Sequence, residues 1–148
     1  MRMLKITPIT QTDRAAWEPL FRGYCAFYKS DPEPAIAPVW SWICDPQSGL
    51  RAALARDASG RALGLVHWEV ILRPLKGETI CYIHDLFVDP EARGTGAGRA
   101  LIEHVQGAAR EAGAGAVRLA TQEGNATARR LYDQFAPASD FILYTFPT

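Results

Sequence analysis

Between positions 93 and 98 the chain reads Arg-Gly-Thr-Gly-Ala-Gly, and a second arginine follows at 99. Three alternate glycines open backbone dihedrals closed to other residues and let a ligand come close to the main chain. The segment before them, Thr79–Val88, reads as a strand, and the segment after, Arg99–Ala112, as a helix. A turn placed this way aims several N–H groups into one small volume, and the helix N-terminus adds partial positive charge. Arg93 and Arg99 supply full charges at the rim. The guest that suits such a turn is a phosphate or pyrophosphate. A P-loop would end in Gly-Lys-Ser or Gly-Lys-Thr, where Arg99-Ala100 stands instead. A dinucleotide fold would place a small residue where Arg99 sits and an acid about 20 residues on.

The elements that must hold this turn follow from period and punctuation. Leu4–Thr7 reads as a short strand. Thr12 or Asp13 can cap a helix whose apolar stripe is Trp17, Leu20, Phe21, Tyr24, Phe27 and Tyr28, with Pro19 tolerated if it falls in the first turn. Ser30–Pro38, with three prolines and two acids, reads as a loop, and Val39–Cys44 as a second short helix. Strands are expected at Leu50–Arg56, Ala62–Leu72 and Thr79–Val88. The turn Asp57–Gly60 joins the first two, and Arg73–Glu78, with Pro74 and Gly77, joins the next. The third strand is rich in β-branched and aromatic residues. Leu101, Ile102, Val105 and Ala109 give the helix after the glycine turn its buried stripe, and Gly113–Gly115 ends it. A strand at Val117–Thr121, a helix at Asn125–Phe135 and a last strand at Phe141–Phe146 complete the order. No repeat or low-complexity tract interrupts it. This order implies one mixed sheet with helices on its faces.

Bulk properties narrow the function classes. The 148 residues fit one domain, 1–148, and 48% apolar content supplies a core. Lys plus Arg equals Asp plus Glu at 16 each, so no global field draws the chain to nucleic acid or an anionic membrane. Cys25, Cys44 and Cys81 match neither zinc nor CxxC spacing, so no metal site is expected. Their odd number suits reduced thiols in a cytoplasm. Met1–Pro8 has no apolar run of signal-peptide length, and no segment approaches the roughly 18 apolar residues of a membrane span. A cytoplasmic protein is the expectation.

Arg93-x-x-Gly96-x-Gly98 resembles the acetyl-CoA signature of the GNAT superfamily, Gln/Arg-x-x-Gly-x-Gly/Ala. Asp85–Glu91 (D-L-F-V-D-P-E) resembles that family's fourth strand and the loop after it. Asn125–Tyr132 (N-A-T-A-R-R-L-Y) resembles its later helix. The likeness spans nearly the whole chain in element order and is strongest over residues 82–132. Within the superfamily, Tyr82-x-x-Asp-Leu-Phe-Val and the Asn125–Tyr132 run are most similar to the subgroup that acetylates histone-tail lysines and polyamines. The resemblance implies an α/β (α+β) fold with a mixed, mostly antiparallel central sheet flanked by helices. It implies acetyl-CoA as co-substrate and a primary amine as acceptor: a small amine, a polyamine or a lysine side chain. By position it implies that amides from Arg93 through Gly94, Thr95, Gly96, Ala97 and Gly98 to Arg99 bind the pyrophosphate. The strand Leu86, Phe87, Val88 would pair with the pantetheine arm. Asn125 would bond the pantetheine, or merely cap its helix. Tyr132 would serve as general acid at the sulfur.

Amine attack on a thioester has three needs. The amine must lose its proton, although free alkyl amines titrate near 10.4. The oxyanion needs donors, with N–H groups around Phe87 in position. The thiolate must leave, preferably protonated. Where relatives carry Glu-Asp before a similar Phe-Val, this chain has His84-Asp85. His84 suits proton removal near neutral pH, but on a regular strand His84 and Asp85 point to opposite faces unless a bulge intervenes. Glu69, Glu123 and the pair His67-Trp68 are further candidates for the base. His67 and His104 read more simply as structural or solvent-facing. Cys81 reads as a packed thiol rather than an acyl carrier. Asp31, Glu33 and Asp45 either attract a cationic amine or are ordinary loop acids. Direct transfer in a ternary complex is the expected route, with a non-catalytic acyl-CoA-binding sensor as the rival. After Tyr132 the chain lacks the Gly-Phe turn of many relatives. Its last strand is expected to pair within the chain or across a homodimer.

Overall fold

Near-continuous burial along the central strand segments and 3.6-residue stripes on the helical ones give a layered α/β arrangement in the computed structural model, which describes residues 3–148. The strands are β1 (Lys5–Pro8), β2 (Arg51–Arg56), β3 (Ala62–Arg73), β4 (Glu78–Val88) and β5 (Val117–Leu119). The helices are α1 (Arg14–Phe27), α2 (Glu33–Cys44), α3 (Ala97–Glu111) and α4 (Ala126–Tyr132). The five strands form one sheet in the order β1-β2-β3-β4-β5. All neighbours are antiparallel except β4 and β5, which run parallel. The mixed, mostly antiparallel sheet is thus as the sequence implied.

Each face of the sheet carries its own core. On one, Val66, Trp68, Cys81 and Ile83 pack against Leu101, Val105 and Ala109 of α3. On the other, Leu54 and Leu65 pack against Trp17, Leu20, Phe21 and Cys25 of α1 and Ile36 of α2. Gly23 lets α1 lie close to the sheet: a Cβ there would stand 2.9 Å from the Phe87 ring.

Three expectations are corrected. Ser30–Pro38 is not a loop throughout, because α2 begins at Glu33. Pro32 is its N-cap and Pro34 lies in its first turn, where no N–H is required, so only Pro38 removes an internal bond. Pro19 falls in the second turn of α1, not the first, because the helix starts at Arg14 after a 3₁₀ turn at Gln11–Asp13. Phe141–Phe146 is not a strand. It makes no ladder bonds, and Phe141, Ile142, Leu143, Tyr144 and Phe146 are all strongly exposed. A strand needs a neighbour to take its N–H and C=O groups, and this segment has none among the described residues. Smaller differences lie at element ends: β5 stops at Leu119 rather than Thr121, and α4 at Tyr132 rather than Phe135. No helix among the described residues is long and apolar enough to cross a membrane.

Candidate active site

The parallel pairing of β4 with β5 ends at Ile83↔Leu119. Beyond it, β4 runs on to Val88 with only β3 beside it, so its other edge opens into a cleft. Antiparallel geometry decides which groups face that cleft. The Asp89 amide donates to Leu63 O at 2.8 Å on the β3 side, and Leu65↔Phe87 is the next hydrogen-bonded pair in that register. The amides of Leu86 and Val88 therefore face the open edge, whereas that of Phe87 is spent on β3. Phe87 contributes its ring to the α1 face, against Gly23 and edge-on to Tyr24.

A bulge reshapes this strand at the point that matters. His67 pairs with Asp85 but Trp68 pairs with Ile83, so His84 is an extra residue in β4. The bulge resolves the alternation in favour of one cleft. His84 Nε2 lies 2.9 Å from Glu69 Oε1, and Asp85 Oδ2 lies 2.9 Å from His67 Nδ1. Glu69 and His67 are two residues apart on β3, hence on one face, and so His84 and Asp85 both project to the α1 side. His84 and Glu69 remain partly open to solvent, and the Asp85 carboxylate is 25% exposed.

Burial pulls the Asp85 carboxyl upward, but the hydrogen bond from His67, the Tyr24 hydroxyl and the nearby His84 outweigh it, leaving the group below its ordinary value. The Tyr24 hydroxyl also lies 3.5 Å from the His84 carbonyl oxygen. Tyr24, Tyr28 and Tyr132 converge on the same recess as His84, Leu86 and Thr121. Burial, with Tyr28 nearby, pushes the Tyr132 phenol up to about 12, so it keeps its proton at neutral pH. Burial and the Asp85 charge push Tyr24 higher still.

The glycine turn delivers donors as its spacing implied, though not from every residue. Gly94 and Gly96 both take positive φ, 79° and 86°, which a side chain would resist. The Arg93 amide is taken by Pro90 O and that of Ala97 by Thr95 Oγ1, whose own hydroxyl donates to Ala92 O at 2.7 Å. Thr95 thus braces the loop. The amides of Gly94, Thr95, Gly96, Gly98 and Arg99 find no acceptor among the described residues. They cluster at the positive end of α3. Gly98 has a different duty: a Cβ there would meet Leu131 Cδ2 at 3.0 Å, so this glycine lets α4 approach α3. Arg93 is exposed and makes no ion pair among the described residues. Arg99 instead reaches the turn after α4, bonding Gln134 Oε1 and lying 4.9 Å above the Phe135 ring.

The other candidates separate cleanly. Asn125 caps α4, its Oδ1 accepting from the Ala128 amide at 3.3 Å, while Nδ2 lies 3.5 Å from Thr121 Oγ1. Cys81 is fully buried against the α3 face, and burial pushes its thiol up, away from nucleophilic use. His104 packs edge-on against Trp68. Glu33 pairs with Arg22 at 2.6 Å, and Asp31 and Asp45 accept from amides two residues on, so these acids serve local structure. No group of three or more His, Cys, Asp or Glu among the described residues is placed to hold a metal ion. Trp17 and Tyr24 were legible as members of a mainly core stripe whose exposed aromatics could wall an acceptor pocket. Their part in the site depends on the β3–β4 register, which no local signal gives.

A mixed sheet split at β4 and β5, with free amides at the start of the helix after β4, is the frame of an acyl-CoA-dependent transferase. The chain belongs to the acetyltransferase (GNAT) family, whose model matches residues 14–136. It is 36% identical over 141 residues to the D-amino-acid N-acetyltransferase HPA3 of Saccharomyces cerevisiae (strain ATCC 204508 / S288c), covering 94% of this chain and 88% of that one. It is 31% identical over 133 residues to the uncharacterized N-acetyltransferase YhfO of Bacillus subtilis (strain 168), covering 88% and 87%. In fold it matches the crystal structure of a ribosomal-protein-alanine N-acetyltransferase from Brucella melitensis biovar Abortus 2308, with a TM-score of 0.84 and 23% identity, over 99% of this chain and 100% of that one. The protein is an acetyl-CoA-dependent N-acyltransferase. The five free amides at the head of α3 fit the diphosphate, and the open edge of β4 offers an extended arm main-chain partners at Leu86 and Val88.

Proposed function

We propose that the enzyme acetylates a primary amine (a small amine, a polyamine or a lysine side chain) by direct attack in a ternary complex, in the manner of the subgroup acting on histone tails and polyamines. The observation that carries this reading is the bulge at His84, which gathers His84, Glu69 and Asp85 on one face beside the open edge of β4. Asp85 and Glu69 make that face anionic, and its recess residues include no Lys or Arg. A cationic amine without its own carboxylate is the complementary guest.

The residues divide the work as follows. Asp85 holds the incoming ammonium. His84, oriented by Glu69, takes the proton through its free nitrogen, directly or through one water. The Leu86 or Val88 amide faces the thioester oxygen as charge develops there, a contact worth roughly 3 kcal/mol in comparable sites. Tyr132, protonated at neutral pH, hands its proton to the departing sulfur. The amides of Gly94–Gly96, Gly98 and Arg99 grip the diphosphate, and Asn125 Nδ2 turns to the pantetheine. Burial of Cys25 and Cys81 supports direct attack over an acyl-enzyme.

A second reading has one specific support. The yeast relative is named for D-amino acids, whose carboxylate would need a cation at the acceptor site. One screen decides between them, using acetyl-CoA, free-thiol detection, and diamines, lysine peptides and D-amino acids as acceptors. Turnover with diamines or lysine peptides is expected. Turnover confined to D-amino acids would overturn the proposed acceptor class, and CoA binding with no turnover on any amine would overturn transfer itself.

The same reading takes residues 1–148 as one acetyltransferase domain, supported by a sheet continuous from β1 to β5. It also includes a cytoplasmic setting, supported by three unpaired cysteines. A homodimer completes it, supported by the unaccompanied apolar tail Phe141–Phe146 and the open outer edge of β5.

A further inference from the structure

Behind the cleft lies a buried histidine that the transfer steps leave unused. His67 has no solvent exposure, and its ring stands between Trp17 of α1 and Asp85 of β4. An indole nitrogen can only donate. The Trp17 Nε1–H at 3.0 Å therefore makes His67 Nε2 an acceptor and places the ring proton on Nδ1. Nδ1 then donates to Asp85 Oδ2 at 2.9 Å. The bonds can run in one direction only, from indole through imidazole to carboxylate. Trp17 is itself clamped, stacked on Phe21 with centroids 5.0 Å apart and packed on Trp40 at 5.1 Å. Phe21 also lies against the His67 ring. A merely satisfied core histidine would end on a backbone carbonyl or another buried group. This one ends on a carboxylate that is itself 25% exposed and stands next in sequence to His84, which lines the recess.

We propose that His67, oriented by Trp17, is a positioning residue for acetyl transfer. It holds the Asp85 carboxylate charged and aimed into the cleft, so that Asp85 can receive the acceptor's ammonium. The inference rests on the amine-transfer reading for the last step only; the hold of His67 on Asp85 is independent of it. The groups facing Asp85 are His67 from β3, His84 from β4, and Tyr24 and Cys25 from α1, with Tyr28 and Tyr132 next to Tyr24. Of these, His67 contributes the largest opposition to the burial that would neutralise the carboxyl. Without it, Asp85 takes up a proton at higher pH, and the acceptor loses its anchor on the acid side.

The test is a carboxyl ¹³C NMR titration of Asp85 in the full chain, for wild type, His67→Leu, His67→Asn and Trp17→Phe. Asp85 in His67→Leu is expected to titrate at clearly higher pH. In His67→Asn, whose amide N–H replaces that of Nδ1, Asp85 should stay near wild type. Trp17→Phe, which leaves the imidazole free to turn, should fall between, and it carries the test if His67→Leu does not fold. With 1,4-diaminobutane as acceptor, the acid limb of kcat/KM against pH should move to higher pH in His67→Leu, through KM, while the profiles meet near pH 8.5; on that limb each unit of displacement is roughly a factor of ten. CoA affinity by calorimetry should not change. An Asp85 titration identical in wild type and His67→Leu would overturn the proposal. A wild type that acetylates no amine would instead remove the transfer reading, and the titration would still decide whether His67 governs Asp85.

Discussion

Two side chains at the cleft owe their protonation states to opposite balances of the same forces. Tyr132 is half-buried beside Tyr28 and Tyr24 with no cation to favour its ionised form, so it stays protonated and can act as an acid. Replacing it with Phe is expected to lower kcat about a hundredfold at neutral pH, the low end for a general acid, while calorimetry finds CoA affinity unchanged. Full activity in Tyr132→Phe would remove the acid role. Asp85 is also half-buried, but His67, Tyr24 and His84 overcome the cost of that burial and hold it below its ordinary value. A carboxyl depressed in the folded state contributes stability above its unfolded titration point, and that contribution is lost as pH falls through the lower folded one. Asp85→Asn should therefore flatten the acid side of a urea-midpoint-versus-pH curve. An unchanged curve would mean that the His67 contact contributes no stability. His84 is tested by its rate profile: His84→Ala should remove a limb of kcat/KM against pH, and an unchanged profile would retire it as base.

At the scale of elements, the site depends on how closely β3 and β4 lie. Gly64 faces Val88 across the ladder, and a Cβ there would stand 2.7 Å from the Phe87 carbonyl oxygen and 3.3 Å from Leu101 Cδ1. The first neighbour is backbone, so the strands must part. Gly64→Ala is expected to cost about 1–3 kcal/mol in urea unfolding and to lower acetyl transfer, because the Leu86 and Val88 amides move with the strand. An unaffected urea midpoint would show that the ladder can flex without penalty. The same elements show what the sequence made legible. The glycine turn, the α3 stripe and the β2–β3–β4 meander stood out because period and punctuation agree there. The start of α2 was hidden because three prolines look alike in composition, although two of them occupy the N-cap and the first turn, where no N–H is needed. The bulge was hidden for another reason. Nothing in Ile83-His84-Asp85-Leu86 marks an extra residue. Only the pairing of Asp85 with His67 and of Ile83 with Trp68 creates it, and that pairing is a property of two strands 15 or more residues apart. Hence His84 and Asp85 could be named as candidates, but not placed on one face.

Over the whole molecule, the feature that does not close on itself is the C-terminal tail. Phe141, Ile142, Leu143, Tyr144 and Phe146 are 71–83% exposed, and among the described residues their one hydrogen bond is the Phe141 amide to Ser139 Oγ at 3.2 Å. Five apolar residues in six is the composition of a strand covered on both faces, not of a solvated terminus. At the other end of the account, β5 is three residues long, sits at the edge of the sheet, and pairs only with β4. An apolar segment without a ladder and a ladder without a neighbour complement each other. Two copies related by a two-fold axis would satisfy both deficits at once, because each can lend its tail to the other. A patch of this kind on a monomer would otherwise invite aggregation. Light scattering behind size exclusion should therefore find a dimer for the full chain. The double substitution Phe141→Asp and Leu143→Asp should give a monomer with the far-UV spectrum retained, since both side chains lie outside the two cores. The α1–β4 site belongs to one chain, so the monomer is expected to keep CoA affinity. A full chain that is monomeric at micromolar concentration would show that the tail is not exchanged, and would leave the edge of β5 open.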